Sequence, residues 1–502
     1  MKNRTIGAFA LCAAVFAVNE ARAKTWEIPA PDGVGDVVAL TNALKQVKHN
    51  DSIVLAPGVY YLSNTVMRSG YHLEFKVNPS SLSATGLVYD FYGSDPDPSK
   101  TILDGGQTKA MVYFGLSTVT ISNLTFSGGY TTGNGGCFNY DGTNGARGGL
   151  KCQNCVFTNN YAGVNGAVFY NFSSPQRNCK FYNNTAAGSG ACGFGGTFID
   201  CTFVGNKAKQ GGGLHGATAK GCTFTENTAT ASGGGTYNCT ATKCIFVKNK
   251  TSGTGGGFYS TGTDLATNCY FNANSASSQG ACAYNGVIRD SEIINHSAGS
   301  EVLKNTKVYM SVVSNNTNSG NAQTGVFDSA TQFHNCLIAF NHRTVAGNGM
   351  ITTGTLRNCT VYGNDQKAFA DGKSRSPCTG KAWNCIFARN YPYDIISKVL
   401  PSMMTNCLWM TRSGGMPADA PGCKQVSDMR FVDETNGDLR IVRRSPAFNK
   451  GYQDEAYLAL VGPVDRNGDP RVYEGDGPAK AIIDIGCYEC QIPAPGLLML
   501  VR

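Results

Sequence analysis

The sequence predicts an all-β protein built as a parallel β-helix, and three observations predict it. A Cys-x-Phe-x-x-Asn template recurs along the chain at intervals of 21 to 25 residues. Glycine is abundant, with 62 of 502 residues, while charged residues make up only 15%. The segments between template copies contain no 3.6-residue apolar period long enough to predict a helix. Short strands stacked coil upon coil explain all three observations.

The template accounts for most of the chain. Six strict copies begin at Cys155, Cys179, Cys201, Cys222, Cys244 and Cys269. Weaker copies begin at Ser291, Ser311, Cys336, Cys359, Cys385 and Cys407, and Leu124-Thr-Phe126 is read as a first copy. The sequence therefore predicts a single solenoid of about 13 coils of about 22 residues each.

Two columns of side chains follow directly from the template. The phenylalanines from Phe157 to Phe271 are predicted to stack as an apolar core, because positions two apart share one face of a strand. The asparagines from Asn160 to Asn390, broken by His296, are predicted to form a hydrogen-bonded ladder at a bend. Asparagine also tolerates a left-handed backbone at such a bend. Both columns are interpreted as structural.

The cysteines form a third column, since ten of the 20 occupy the template position. In-register parallel strands hold neighbouring Cβ atoms about 4.8 Å apart, beyond the usual span of a disulfide. Buried free thiols are therefore favoured over bridges. The pairs Cys152/Cys155 and Cys487/Cys490 have redox or zinc spacing, but each lacks the second pair that zinc would need.

The ends are predicted to close the solenoid. Val37, Leu40, Leu44 and Val47 share one face of an amphipathic helix that would cap the first coil, and residues 51–60 are read as the first strand and its turn. The expected organisation is a signal peptide (1–23), an N-terminal cap and first strands (24–100), β-helix repeats (101–412), a closing segment (413–490) and a tail (491–502).

The closing segment contains one motif with a calcium-like spacing. Asp465, Asn467 and Asp469 alternate along the chain, but Gly468 is misplaced and the twelfth position has no Glu. A turn is favoured over a calcium loop.

The first residues predict export. Lys2 and Arg4 precede an apolar run that ends near Val18, and Ala21 and Ala23 have the spacing of a signal-peptidase site. A secreted or surface location follows, with no integral membrane segment in the mature chain. The net charge of +8 for the whole sequence is mildly basic and is not concentrated as in a nucleic-acid-binding domain.

Glycine-rich segments alternate with the template copies. Gly211-Gly-Gly-Leu214 and Gly255-Gly-Gly-Phe258 alternate with Phe224-Thr-Glu-Asn227 and Phe271-Asn-Ala-Asn274, and this pattern resembles the repeats of polymorphic outer membrane proteins. The resemblance covers residues 124 to about 412 and implies a right-handed β-helix on a bacterial surface, often in adhesion. The ends resemble secreted pectin-lyase-like proteins, on motifs such as Asn436-Gly-Asp438 and the segment 483–489.

The function predicted is that of a binding, adhesive or structural module, with an acidic or other extracellular polysaccharide as the expected partner. The alternative is a polysaccharide lyase or glycoside hydrolase on the same scaffold, and only that alternative would involve Ca²⁺. Residues 124–412 hold only 11 acids, and the sequence nominates no catalytic residue, cofactor or metal ligand. Enzyme activity is therefore left open and disfavoured.

One set of charged residues is a candidate polyanion site. Six lysines fall on three successive coils, and two of them share the position after the Asn corner, so they could line one basic patch. The alternative is that they are solvated lysines that keep a repetitive surface soluble. The six are Lys207, Lys209, Lys220, Lys243, Lys248 and Lys250.

Overall fold

The computed structural model describes residues 23–31, 37–63, 65–75, 87–114, 117–139, 149–262, 264–320, 326–328, 330–345, 354–366, 380–396, 403–413, 420–472 and 482–490. The predicted signal peptide, apart from Ala23, and the predicted tail lie outside the described residues. Within them the chain forms a right-handed parallel β-helix with two short α-helices, which confirms the predicted fold class. No helix in the described part of the chain is long and apolar enough to cross a membrane.

One coil shows how the chain turns. Thr197–Ile199 lies in sheet A, Thr202–Val204 in sheet B, Lys207–Gln210 in sheet D and Leu214–His215 in sheet C, after which the next coil begins. A residue with a left-handed backbone stands at each corner, which gives the sharp change of direction that an extended chain cannot make. In this coil the corner residues are Asp200, Gly205, Gly211 and Gly216.

Sheet A has 16 parallel strands that run the length of the solenoid. Its strands are Thr25–Ile28, Ser52–Leu55, Val88–Gly93, Thr118–Ser122, Leu150–Gln153, Pro175–Arg177, Thr197–Ile199, Thr218–Lys220, Thr240–Thr242, Leu265–Thr267, Val287–Arg289, Lys307–Tyr309, Gln332–His334, Thr355–Arg357, Lys381–Trp383 and Met404–Thr405.

Sheet B also has 16 strands. They are Gly58–Tyr61, Thr101–Asp104, Thr125–Ser127, Val156–Thr158, Lys180–Tyr182, Thr202–Val204, Thr223–Thr225, Ile245–Val247, Tyr270–Asn272, Glu292–Ile294, Val312–Ser314, Leu337–Ala339, Thr360–Tyr362, Ile386–Ala388, Leu408–Trp409 and Lys424–Gln425. Thirteen of these, from Thr125–Ser127 to Leu408–Trp409, are the copies found in the sequence. The other three lack the template.

Sheets C, D and E are made of shorter strands. Sheet C comprises Tyr71–Phe75, Ala110–Phe114, Phe138–Asn139, Phe169–Tyr170, Gly193–Phe194, Leu214–His215, Thr236–Tyr237, Phe258–Tyr259, Ala283–Tyr284 and Leu303–Lys304. Sheet D comprises Tyr130–Thr131, Tyr161–Ala162, Thr185–Ala186, Lys207–Gln210, Thr228–Ser232, Lys250–Thr251 and Ser275–Ala276. Sheet E comprises Ser297–Ala298, Thr317–Asn318, His342–Arg343 and Asp365–Gln366.

The core consists of the predicted columns. Phe157, Phe181 and Phe203 pair in register across sheet B and are fully buried, with ring centroids 5.1 and 4.7 Å apart. The ten template cysteines are also buried, and all the cysteines in the described part of the chain are free thiols. The preference for buried thiols over disulfides is confirmed.

The asparagine ladder forms as predicted, but its backbone does not. The side chain of Asn184 donates to Oδ1 of Asn206 at 3.1 Å and to the carbonyl of Phe157 at 3.0 Å. The ladder residue itself has no left-handed backbone; that conformation belongs to the preceding residue, such as Asn183 or Glu226. The sequence prediction was wrong on this detail because the ladder side chain points inward, whereas the turn is made one residue earlier.

The N-terminal cap is the helix α1, Val38–Gln46. The predicted apolar face is buried: Leu40 and Leu44 are fully covered, and Val37 and Val47 are nearly so. The first strand is not in residues 51–60, as predicted, but at Thr25–Ile28, which pairs in parallel with Ser52–Leu55. This earlier strand is only four residues long and begins two residues after the predicted signal peptide.

The C-terminal segment folds back along the outside of the last coils. It contains Lys424–Gln425 in sheet B, an antiparallel hairpin of Phe431–Asp433 and Asp438–Ile441, and the helix α2, Glu455–Val461. Two further strands, Ile395–Ile396 and Arg412–Ser413, pair beside it. A short 3₁₀ helix, Pro98–Lys100, lies near the other end.

Corner asparagines hold this C-terminal segment in place. Asn335 donates to the carbonyl of Val461 at 2.6 Å and accepts from the buried guanidinium of Arg471 at 2.7 Å. Asn384 exchanges two hydrogen bonds with the backbone of Tyr452. These corner residues therefore both turn the chain and anchor the closing segment.

Candidate functional site on the outer face of sheet A

Four of the six lysines predicted as a polyanion site lie together on one side of the solenoid. Lys207, Lys209 and Lys250 belong to sheet D, and Lys207 and Lys250 occupy one outward column two coils apart, as the sequence predicted. Lys248 lies at the corner between sheets B and D, two residues before Lys250. Its ammonium lies 4.0 Å from the carboxylate of Glu226. That exposed carboxylate offsets part of the positive charge.

The other two lysines lie elsewhere. Lys220 is the last residue of a strand in sheet A and pairs in register with Thr242, while Lys243 forms the next corner towards sheet B. The fold therefore separates them from the sheet D lysines and divides the expected single patch into two groups.

A second cationic surface lies further along sheet A. Five successive strands present one outward column of Arg289, Tyr309, His334, Arg357 and Trp383. The guanidinium carbon of Arg289 lies 4.7 Å from the ring centre of Tyr309, and the rings of Tyr309 and His334 are 4.8 Å apart. The guanidinium of Arg357 contacts Nε2 of His334 at 3.4 Å and lies 4.9 Å from the ring centre of Trp383. We call this column the cation–aromatic ladder.

A second outward column runs beside the ladder on the same five strands. Lys307 and Lys381 are exposed, and Val287, Gln332 and Thr355 fill the remaining positions. The residues between the two columns point inward and are buried, as strand alternation requires. None of the ten outward positions on these strands is acidic, so the face holds four cations.

The electrostatics of the face favour an anion. Burial, together with the neighbouring charges of Arg357 and Lys307, lowers the pKa of His334 to about 4, so its imidazole is neutral at pH 7. The nearby acid is Asp290, at the corner after Arg289. Burial raises the pKa of the Asp290 carboxyl, although the charges of Arg289 and Arg466 act in the opposite direction.

The closing segment covers the end of this face from His334 to Trp383, since His334 is buried and contacts the backbone of Leu460. Trp383 packs against an apolar cluster formed by Tyr457, Val461 and Ile483, so α2 covers the last rung of the ladder. The ladder is thus fixed at this end by tertiary packing, while its Arg and Lys side chains remain partly or fully exposed.

The sequence contains a positional signal for the cation–aromatic ladder that lies outside the Cys-x-Phe-x-x-Asn template. Every ladder residue stands two positions before the template Cys or Ser, as in Arg357-Asn-Cys359 and Trp383-Asn-Cys385. The template consists of inward positions, where packing enforces repetition. Aligning the outward position two residues earlier would have placed the ladder residues in one column.

Two acids and a lysine converge at the corner between sheets C and A. The ammonium of Lys304 lies 3.3 Å from Oε1 of Glu301 and 3.5 Å from Oδ2 of Asp328. Both carboxylates are almost fully buried, and Asp328 also accepts the backbone N–H of Asn305 at 2.8 Å. The charges and hydrogen bonds of both carboxylates raise the pKa of Lys304 despite partial burial, so the ammonium stays protonated. The spacing of these three residues in the sequence does not predict that they are in contact.

The calcium-like motif forms a turn, as expected. Asp465 is fully buried, and its carboxylate accepts the backbone N–H groups of Asn467 at 2.7 Å, Asp469 at 2.9 Å and Glu489 at 2.7 Å. Both oxygens of the Asp465 carboxylate therefore accept hydrogen bonds from within the closing segment. The described residues contain no group of three or more His, Cys, Asp or Glu side chains placed to hold a metal ion.

Comparisons with known proteins give structural likeness only. No protein-family model matches the sequence, and no curated protein matches it. The A-module of the mannuronan C-5 epimerase AlgE4 from Azotobacter vinelandii is 12% identical over 68% of this chain and 96% of its own, with a TM-score of 0.34.

Two lyases give similar values. The PL6 family alginate lyase AlyGC is 11% identical over 93% of this chain, with a TM-score of 0.37, and this chain spans 59% of its length. The pectate lyase Pel9A is 11% identical over 93% of this chain and 96% of its own, with a TM-score of 0.25.

Proposed function

We propose that the protein is an extracellular binding module for acidic polysaccharides, and that the cation–aromatic ladder of sheet A with Lys307 and Lys381 is its binding surface. The observation that carries the proposal is the placement of four cations on five successive strands with no acid among their outward positions. Export is supported by the signal-like sequence of the first 23 residues.

The geometry suits a polymer more than a small anion. Successive rungs lie about 4.8 Å apart, so the cations form a line along the solenoid rather than a pocket. Arg357 and Arg289 are stacked on aromatic rings, which holds each guanidinium in place while its N–H groups can still pair with a carboxylate or sulfate. A chain with one charge per sugar unit would meet several cations at once, and its binding would weaken with salt.

The test compares two triple variants on immobilised polygalacturonate, alginate and a sulfated glycan. Lys307→Gln/Arg357→Gln/Lys381→Gln should lower affinity by roughly tenfold or more and flatten its dependence on salt. Lys207→Gln/Lys248→Gln/Lys250→Gln removes the same charge from the sheet D lysines and should bind like wild type. Circular dichroism checks that both variants stay folded.

Each outcome is decisive. Loss of binding in the sheet D variant alone would place the site at Lys207, Lys248 and Lys250 and overturn the assignment to sheet A. Failure of the wild-type protein to bind any of the polymers would overturn the function itself.

Catalysis on an acidic polysaccharide is a second candidate, because Glu301 and Asp328 converge on Lys304. Their contacts to one ammonium place the two carboxylate oxygens at most about 7 Å apart, within the range of paired carboxylates in glycosidases. The same ion pairs also explain the cluster as a structural clamp. Incubating the polymers with wild type and Glu301→Gln, with and without Ca²⁺, distinguishes these roles, since only an enzyme would release oligosaccharides that the variant does not.

A further inference from the structure

Sheet C carries a continuous column of aromatic rings on its outer face. Six successive strands present Tyr170, Phe194, His215, Tyr237, Tyr259 and Tyr284 in register. Their inward neighbours are buried, whereas these six side chains are half-buried. From Phe194 to Tyr284 the ring centroids lie 4.6 to 5.3 Å apart and the rings are within 12° of parallel. We call this feature the outer aromatic column.

The rings cover one another, so the column presents their edges to solvent. Because the ring faces are occupied by stacking, a ligand would meet the ring edges and the phenol hydroxyls. The hydroxyls of Tyr237, Tyr259 and Tyr284 make no hydrogen bond to another described residue, and they recur once per coil. The column is therefore a rigid row of hydrogen-bonding groups with the period of the solenoid.

Two glycines lie beside the outer aromatic column, at positions where a side chain would clash with the aromatic strands. Gly233 and Gly255 have φ values of +69° and +70°, and a Cβ on them would lie 3.1 Å from Cβ of Tyr237 and 2.8 Å from Cβ of Tyr259. No larger residue fits there without moving the aromatic strand. Next to these glycines, Ser232 and Thr254 form a hydroxyl pair at 3.1 Å, which adds polar groups along the same face.

The column carries no net charge. Its one basic member, His215, is neutral at pH 7 because burial lowers its pKa. Burial raises the pKa of Tyr259, and its neighbours Tyr237 and Tyr284 raise it further, so this phenol stays protonated. The next residue in register, Lys304, is paired with Glu301 and Asp328. This surface therefore differs in charge from the cationic face of sheet A.

We propose that the outer aromatic column binds an uncharged polysaccharide in an extended conformation, laid along the solenoid axis. The absence of charge matches a neutral polymer, and a periodic row of phenol hydroxyls with the Ser232 and Thr254 hydroxyls beside it matches a ligand with hydroxyl groups at regular intervals. Stacking fixes the rings before binding, so little side-chain freedom is lost on association. This site is separate from the acidic-polysaccharide site of sheet A.

The test uses affinity electrophoresis of the full chain in gels containing galactomannan or hydroxyethylcellulose. Wild type should be retarded by at least one of the two polymers. The variant Tyr237→Phe/Tyr259→Phe/Tyr284→Phe keeps the stacked rings and removes only three hydroxyls, and it should lose at least roughly tenfold in affinity.

Two controls separate this site from others. Tyr130→Phe/Tyr161→Phe removes hydroxyls from a stacked pair on sheet D, with centroids 5.1 Å apart, and should bind like wild type. Lys307→Gln/Arg357→Gln/Lys381→Gln should also bind neutral polymers normally, so failure of the sheet A proposal would not affect this result.

Three results would overturn the proposal. One is that wild type is retarded by neither polymer; another is that the triple Tyr→Phe variant is retarded as strongly as wild type. The third is a concentration-dependent dimer in sedimentation velocity that the triple variant abolishes, since this would show that a second copy of the chain occupies the column.

Discussion

The side chain of Asn206 donates to Oδ1 of Asn227 on the next coil at 2.9 Å, and the same oxygen accepts the backbone N–H of Asn206 at 3.1 Å. Asn227 in turn donates to Oδ1 of Asn249 at 2.9 Å and to the carbonyl of Phe203 at 3.0 Å. A buried amide thus satisfies groups on both neighbouring coils, and the asparagine ladder joins coils through side chains as well as through strand pairing.

Asn227→Ala should therefore be strongly destabilising. It removes four buried hydrogen bonds and leaves the Phe203 carbonyl and the backbone N–H of Asn206 without these partners, which we expect to cost about 2–4 kcal/mol. Denaturant unfolding followed by circular dichroism measures the change. Asn272→Ala, on the outer face of sheet B, is the control and should cost less than about 1 kcal/mol; equal losses would show that the ladder bonds add no stability.

The asparagine ladder also shows which features of the fold can be predicted from the sequence. Inward positions repeat because every coil must fill the same space, so Phe203, Asn206 and Cys201 were assigned correctly from spacing alone. Outward positions have no such constraint. The cation–aromatic ladder and the outer aromatic column are therefore regular only over some coils, and the template does not predict them.

Contacts between residues that are far apart in the chain could not be predicted from the sequence either. Asn335 and Arg471 are 136 residues apart, yet they form a buried hydrogen bond that attaches the closing segment to a coil corner. Glu301 and Asp328 lie on neighbouring coils and meet at Lys304. Neither contact produces a periodic pattern in the sequence from which it could be predicted.

His296 should make stability depend on pH. It replaces Asn in the ladder, with Nε2 3.3 Å from the Asn274 amide and Nδ1 2.9 Å from Oδ1 of Asn316. Burial lowers its pKa to about 4 in the folded protein, whereas the unfolded chain has the ordinary value of 6.5. The folded state therefore resists protonation, and stability falls as pH drops from about 6.5 to about 4, by roughly 3 kcal/mol in total.

The variant His296→Asn restores an amide to the ladder and removes this titration. Free energies of unfolding at pH 7, 5.5 and 4 should show a smaller acid loss in the variant than in wild type. Other titrating groups are common to both proteins and cancel in the difference. Parallel pH curves for the two proteins would contradict the prediction.

The cysteines should be unreactive in the folded protein. Of the 18 described, 16 are buried, and only Cys423 and Cys490 are partly exposed. Burial raises the pKa of the Cys239 thiol to about 12, which disfavours its thiolate at pH 8. Ellman's reagent should label few thiols until guanidinium is added, after which the whole column should react. A failure to gain thiols on unfolding would indicate disulfides.

Arg471 should be essential for docking of the closing segment. Its guanidinium is fully buried, 2.5 Å from Oε1 of Glu489 and 2.7 Å from Oδ1 of Asn335. Arg471→Met leaves the Glu489 carboxylate buried without its cation, which we expect to cost about 3–5 kcal/mol and to expose the segment after residue 450 to protease. Arg440→Met is the matched control, because Arg440 pairs with Asp438 at the surface, where such pairs contribute about 0–1 kcal/mol. If both variants resist limited proteolysis as wild type does, the segment is held by its apolar contacts with Ile386 and Leu408 instead of by the buried ion pair.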